Sequence, residues 1–183
     1  MINMRCAWVD ESWELDVQYH DHEWGVPVYD DGLLFEMLVL ESFQAGLSWA
    51  IIMKKREGYR KAFDKFNPVA IANYTEKNVE GLMQDSGVVR SRGKIMAAIN
   101  NAKVFLRLQK EYGSFSNYIW SFTDNHVVRN IKELYYSKTE LSEKVSKDMK
   151  KHGIKFMGPA TTNAYLMAVG IINGHDPTCF KTR

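Results

Sequence analysis

Apolar residues recur three and four positions apart over 33–43, 75–85, 94–112, 141–152 and 160–173. Over 94–112, Ile95, Ile99, Ala102 and Phe105 share one face, and nowhere does a convincing two-residue alternation compete. This pattern limits the chain to packed helices and predicts an all-α fold. Punctuation agrees. Thr75 with Asn78 can cap a helix, Pro159 after Gly158 opens one, and Gly113 and Gly174 sit just beyond helix ends. The stretch 112–137 has no assignable period.

With 183 residues and 45% hydrophobic content, the chain can bury a real core as one unit. No repeat or linker divides it, so residues 1–183 are read as a single domain. No apolar run reaches the roughly 18 residues of a membrane span, and the first residues lack a secretory pattern. A cytoplasmic chain without a disulfide is the expectation.

Net charge of +2 and a pI near 8.4 are too mild to argue nucleic-acid binding by themselves. The cations are clustered, however: Lys54, Lys55 and Arg56 with Arg60 and Lys61, then Arg90, Arg92 and Lys94. Solvated helix ends are the plainer reading of both clusters. The segment 41–56, ESFQAGLSWAIIMKKR, is less plain. An acid stands among apolar residues, a glycine and an indole follow, and the helical pattern ends on the three cations.

The two cysteines, Cys6 and Cys179, lie at opposite ends of the chain, each with a histidine near it: His20 and His175. Two Cys and two His make a tetrahedral zinc set, and the three residues between His175 and Cys179 allow both to face one ion. The alternative is two buried thiols and two ordinary histidines. With four protein ligands such a zinc would be structural, tying together chain ends otherwise prone to fray. His22, His126 and His152 show no ligand pattern.

The connection 83–96, MQDSGVVRSRGKIM, holds Gly87 and three cations between two helical patterns, and is similar to the helix-hairpin-helix element of DNA glycosylases. RCAWV, YHDHEWGVP, LFEMLVLESFQAGLSW, SGVVRSRGKI, WSF, KFMGP and HDPTC, in that order, resemble the constitutive (type I) 3-methyladenine DNA glycosylases of bacteria. The resemblance spans nearly the whole chain. It implies a helix-hairpin-helix glycosylase fold, with its hairpin element at about 75–110, that excises N3-methyladenine from alkylated duplex DNA. It also implies a structural zinc on Cys6, His20, His175 and Cys179 that joins the two termini. The chain departs from the family at Ser42, where a glycine often follows the key glutamate, and in a longer segment between Trp8 and Tyr19.

The resemblance places Tyr19, Glu41 and Trp49 in the pocket for an everted base, with Trp8 beside them and Trp24 as packing. Indole faces stack on a cationic purine, Glu41 accepts from the exocyclic amine, and Tyr19 offers its hydroxyl. Gln44, Gly46 and Leu47 would form the loop that enters the duplex, Leu47 as a wedge, with Gly87, Arg90, Arg92 and Lys94 on the phosphates. Methylation at N3 already weakens the glycosidic bond, so little acid catalysis is needed, and neither Asp85 nor Asp124 is nominated for it. The expected reaction is monofunctional: water attacks the sugar carbon, free 3-methyladenine leaves, and the strand stays uncut. A zinc-stabilised helical DNA-binding module without chemistry, and a glycosylase for other damage, are the competing readings.

Overall fold

The computed structural model describes residues 4–129 and 133–182. Nine α-helices lie among them: α1 (Glu14–His22), α2 (Asp31–Gln44), α3 (Trp49–Ala62), α4 (Pro68–Ala72), α5 (Glu76–Gln84), α6 (Arg92–Tyr112), α7 (Phe115–Trp120), α8 (Glu140–His152) and α9 (Pro159–Ala168). The described residues contain no strand. A single parallel bridge joins Val128 to Ile172. The all-α expectation therefore holds, and no helix is long and apolar enough to cross a membrane.

α2 organises the core. Every residue from Leu34 to Phe43 is buried, as expected of a helix apolar nearly all round and surrounded by others. α6 turns Ile95, Ala98, Ile99, Ala102, Phe105 and Leu108 inward, and Phe35 meets Phe105 with ring centroids 4.8 Å apart. α9 packs on the same central helix, where the Tyr165 hydroxyl donates to the Leu34 carbonyl at 3.2 Å.

Local signals set most helix ends. Asp30 Oδ1 accepts from Leu33 N at 2.9 Å, Thr75 and Asn78 form a capping box, and Gly113 closes α6 in the left-handed region at φ 84°. Two boundaries differ from the periodic reading. α3 does not stop at the three cations but runs on to Ala62, because Arg56 and Tyr59 face inward. α9 ends at Ala168, short of residue 173, at the left-handed Gly170 (φ 73°). A Cβ there would lie 2.4 Å from the carbonyl carbon of Val26, so the chain can turn past the 26–28 segment only with glycine. Within 112–137, α7 is capped by Ser114, and Asp31 accepts from the amides of Phe115 and Ser116 at 2.9 and 2.7 Å. Residues 130–132 of that stretch lie outside the described residues.

The two ends of the chain meet. Phe180 N donates to Met4 O at 2.9 Å, and Ala7 N donates to Asp176 Oδ2 at 2.7 Å.

Candidate functional site

A cavity of about 250 Å³ opens where four helices converge. α1 brings Tyr19, α2 brings Glu41 and Gln44, α3 begins with Trp49, and α9 contributes Ala164 and Met167. Trp8 and Trp24 complete the wall and meet edge to face, with centroids 5.0 Å apart. The volume falls just below the roughly 300–1,000 Å³ of sites for drug-sized ligands. Thus the cavity joins Tyr19, Glu41, Trp49 and Trp8. It also recruits four side chains not foreseen there: Trp24, Ala164, Met167 and Gln44, the last expected only in the loop that enters the duplex. EWG in the sequence flagged Trp24 only as packing, and no local signal marks the α9 pair.

The polar groups in this cavity are unusual for a core. Glu41 is 3% exposed and its Oε2 has no hydrogen-bond partner; Trp49 Nε1 is likewise buried and unpartnered. An orphaned buried acceptor and donor each cost desolvation free energy, which a bound ligand can recover. Burial pushes the Glu41 carboxyl up to about 8, so at neutral pH the empty cavity favours the protonated form. The Tyr19 phenol is held well above its usual range by burial and by the neighbouring Glu41. Its ring lies 5.3 Å from that of Trp49. Ser42 points away from the cavity, its Oγ donating to Val39 O at 2.7 Å.

Between Glu41 and Trp49 the chain turns through 44–48, with Leu47 N donating to Gln44 O at 2.6 Å. Gly46 is exposed at φ 80°, in the left-handed region that needs glycine, with open space around it. Leu47 is half-buried against the core, and Gln44 lines the cavity.

The hairpin cations are differently employed. Lys94 Nζ donates to the carbonyls of Phe43 and Ala45 at 2.8 and 2.6 Å, and Arg92 pairs with Glu76 and Glu80. Gly87 packs on Gly58: a Cβ on Gly58 would lie 2.3 Å from the Gly87 carbonyl oxygen, and the Gly87 amide donates to Asp85 Oδ1. Arg90 is exposed. Of the cations on α3, Lys54 lies over the Trp13 ring at 5.3 Å and Lys55 donates to Ser86 O. Arg56 is buried between Glu36 and Glu23, with bonds of 2.6 and 2.7 Å. The expectation of solvated helix-end charges fails at Arg56, because acids distant in sequence surround it.

A second helix–turn–helix, α8 and α9 joined by 153–158, stands next to the first. α6 clamps it: Asn101 Nδ2 donates to Lys155 O at 2.9 Å and Asn101 Oδ1 accepts from Lys155 N at 2.8 Å, while Asn100 donates to Gly153 O. An open groove of about 560 Å³ runs along it past Lys150 and Lys155. At the N-cap of α9, Gly158 brings no side chain and faces open space. A wider cleft of about 620 Å³ elsewhere is lined only by charged side chains at Glu36, Glu57, Arg60, Lys61, Asp64 and Lys65, with no flat surface for stacking.

At the joined termini, donor atoms of Cys6, His20 and Cys179 lie within 4.8 Å of one another. His20 Nδ1 is held by Asp21 Oδ1 at 2.7 Å, which leaves Nε2 3.5 Å from Cys179 Sγ. The amides of Asp176 and Lys181 donate to the sulfurs of Cys6 and Cys179 at 3.3 and 3.4 Å. His175 stands outside that triad, its ring centroid 5.4 Å from that of His20, and its Nε2 is buried without a partner. Burial and the neighbouring Cys179 push the Cys6 thiol up to about 12, and burial lowers His175 to about 4. Trp8 and Trp24 both touch His20, so this cluster backs directly onto the cavity wall.

Comparison with known proteins gives one answer. The family model described as methyladenine glycosylase matches residues 8–182. DNA-3-methyladenine glycosylase 1 of Escherichia coli is 42% identical over 179 residues, 96% of this chain and 95% of that protein. The DNA-3-methyladenine glycosylase of Haemophilus influenzae is 42% identical over 178 residues, 96% of each chain. A crystal structure of 3-methyladenine DNA glycosylase I superposes with a TM-score of 0.91 at 41% identity, covering 97% of this chain and 98% of that one. The Staphylococcus aureus enzyme, solved to show how it recognises 3-methyladenine, gives 0.92 at 35% identity over 98% and 96%. By sequence along nearly its full length and by fold, this chain belongs to the methyladenine glycosylase family, with the bacterial type I enzymes.

Proposed function

We propose that the chain is a monofunctional DNA glycosylase that hydrolyses the N-glycosidic bond of N3-methyladenine in alkylated duplex DNA and leaves an abasic site. One observation carries this reading: a buried acceptor on Glu41 and a buried donor on Trp49, both unpartnered, share a small aromatic cavity. A purine edge has both complements, an exocyclic amine for the carboxylate and a ring nitrogen for the indole N–H. Enzymes that act on a base must first extrude it from the stack, and the flat faces of Trp8, Trp24 and Trp49 replace the stacking that is lost.

Charge does the selecting. An ionised Glu41 is penalised in the empty cavity, and only a cationic base repays that penalty. Neutral adenine does not, so it gains less from entering. The lesion itself is primed, because N3-methylation makes the base a cationic leaving group. Water attacks the sugar C1′, the C–N bond breaks with its electron pair going to the ring, and the base departs neutral. The water gives up one proton to solvent and its oxygen remains on C1′. No lysine attacks the sugar, so the strand stays intact.

Phosphates are gripped by the two adjacent turns of the helix-hairpin-helix scaffold. Arg90 serves on 85–91, and Lys150 and Lys155 with the open N-terminus of α9 serve on 153–158. α9 runs from the second turn to the cavity through Ala164 and Met167, coupling backbone grip to base pocket. The exposed Gly46 lets loop 44–48 approach the duplex closely. The whole chain acts as one domain and one monomer in the cytoplasm.

A zinc ion suits the terminal cluster. Two thiolates and His20, fixed through Asp21, lie together, and the orphaned Nε2 of His175 beside them would complete a tetrahedral set, so the ion would supply folding free energy and no reaction step. Release of labelled bases from methylated duplex, resolved by chromatography, tests the activity: 3-methyladenine appears while the strand stays uncut. No released base would leave the DNA-binding module, and another released base would shift the damage specificity.

A further inference from the structure

The Lys94 ammonium sits on two backbone carbonyls of a different helix, those of Phe43 and Ala45, at 2.8 and 2.6 Å. Helix ends leave carbonyls without partners, and α2 has no basic residue in its last turn to answer them. Nor does it end on a left-handed cap, since Ala45 has φ −44° and ψ 112°. In its own helix Lys94 is badly placed, a cation in the first turn of α6, where the macrodipole disfavours it. The contact with α2 explains the placement.

We propose that Lys94 is a positioning residue for the base cavity, tying the end of α2 to the first turn of α6 and thereby fixing the chain path from Glu41 to Trp49. Phe43 is anchored in the core against Tyr59 and Phe63, with centroids 4.9 and 5.8 Å away. With Phe43 buried and the Ala45 carbonyl held, the short loop 44–48 has little freedom, and it delivers Trp49 opposite Glu41. An ammonium has three donors, and two are committed here, so Lys94 is a strut and Arg90 the phosphate contact. Partial burial, which lowers the Lys94 pKa, agrees with an inward-facing group. The proposal deepens the base-pocket reading and rests on it.

The test uses the full-length protein and three readouts: free 3-methyladenine binding by tryptophan fluorescence, undamaged-duplex affinity across a salt series, and amide exchange over 44–48. Lys94→Met is expected to weaken base binding about tenfold and to speed amide exchange about tenfold, leaving the salt slope unchanged. Lys94→Arg, which can still reach both carbonyls, restores base affinity to within about threefold of wild type. Unchanged base binding and exchange in Lys94→Met would overturn the proposal, as would a salt slope reduced by about 0.9, the loss of one phosphate contact. If Lys94→Met does not fold, the side-chain ammonium NMR signal of Lys94 in the wild-type protein decides. Free base should shift it and undamaged duplex should not; the reverse pattern overturns the proposal. A wild-type protein that fails to bind 3-methyladenine would refute the base-pocket reading, and amide exchange in Lys94→Met would still report whether Lys94 holds the loop.

Discussion

Glu41 Oε2 and Trp49 Nε1 are both buried and both without a hydrogen-bond partner, and the two residues line one cavity. Glu41 comes from the end of the central helix and Trp49 from the start of the next, so a short exposed loop sets their separation. A core would normally pair or exclude such atoms. Unpaired, they cost the free protein desolvation free energy, and a ligand that pairs both would recover that cost.

That cost has a pH signature. The Glu41 carboxyl is raised by burial from 4.5 to about 8, so between these values the folded chain holds a proton that the unfolded chain has released. Stability therefore falls as pH rises from about 4.5 to about 8, at roughly 1.4 kcal/mol per unit at most. Glu41→Gln cannot ionise and removes this slope. Denaturant midpoints of both proteins at pH 4.5 and 8 should diverge, the variant gaining a few kcal/mol over wild type at the higher pH. Parallel profiles would mean the carboxyl is not desolvated.

Trp49→Phe separates stacking from donation. Phenylalanine keeps a flat face but removes the orphaned N–H, so thermal stability should hold or rise slightly while affinity for free 3-methyladenine falls about tenfold. Loss of stability with unchanged affinity would make Trp49 a packing residue.

The buried Arg56 offers a third check. With Nε on Glu36 and Nη1 on Glu23, its replacement by Met leaves the buried Glu36 with Arg60 as its remaining cation, at 2.8 Å. The expected loss is about 1–3 kcal/mol of folding stability, because one charge-assisted bond to a buried acid goes while Arg60 still answers it, and the double variant with Arg60→Met should lose clearly more. The salt slope of duplex binding by the folded variant should stay at the wild-type value, since Arg56 faces acids and not phosphates.

Metal removal bears on the ends of the chain. Purified, unchelated protein should contain one zinc per chain. Chelation should lower the unfolding midpoint and open proteolytic sites near Met4 and Phe180 before any in α2 or α6. Metal-free protein with full stability would leave the Cys/His cluster as ordinary buried side chains.

Legibility in the sequence followed the range of the forces involved. α5, α6 and α8 could be read because their apolar spacing is local, and so are the caps of the first two, Thr75 and Gly113. α7 could not be, since it is short and its first amides are satisfied by Asp31 from a distant part of the chain. The end of α9 was missed because Gly170 answers to Val26, not to its own helix. In the site, Tyr19, Glu41, Trp49 and Trp8 were named through family resemblance; periodicity alone would have made Trp49 a core residue. The cations were the least legible. Whether a lysine or arginine faces solvent, a carboxylate or a carbonyl is a tertiary fact, as Arg56, Arg92 and Lys94 each show. Trp24 packs as its sequence context suggests, against His20 and His175, but its place on the cavity wall depends on the joined termini and could not be read locally.

Selection of a cationic base by the carboxyl of Glu41 is tested most directly by single-turnover release of 3-methyladenine from methylated duplex by Glu41→Gln. The expected result is a rate lowered about ten- to a hundredfold, with undamaged-duplex affinity at the wild-type value, because the amide keeps the shape and loses the charge. An excision rate equal to wild type in the folded variant would contradict the account.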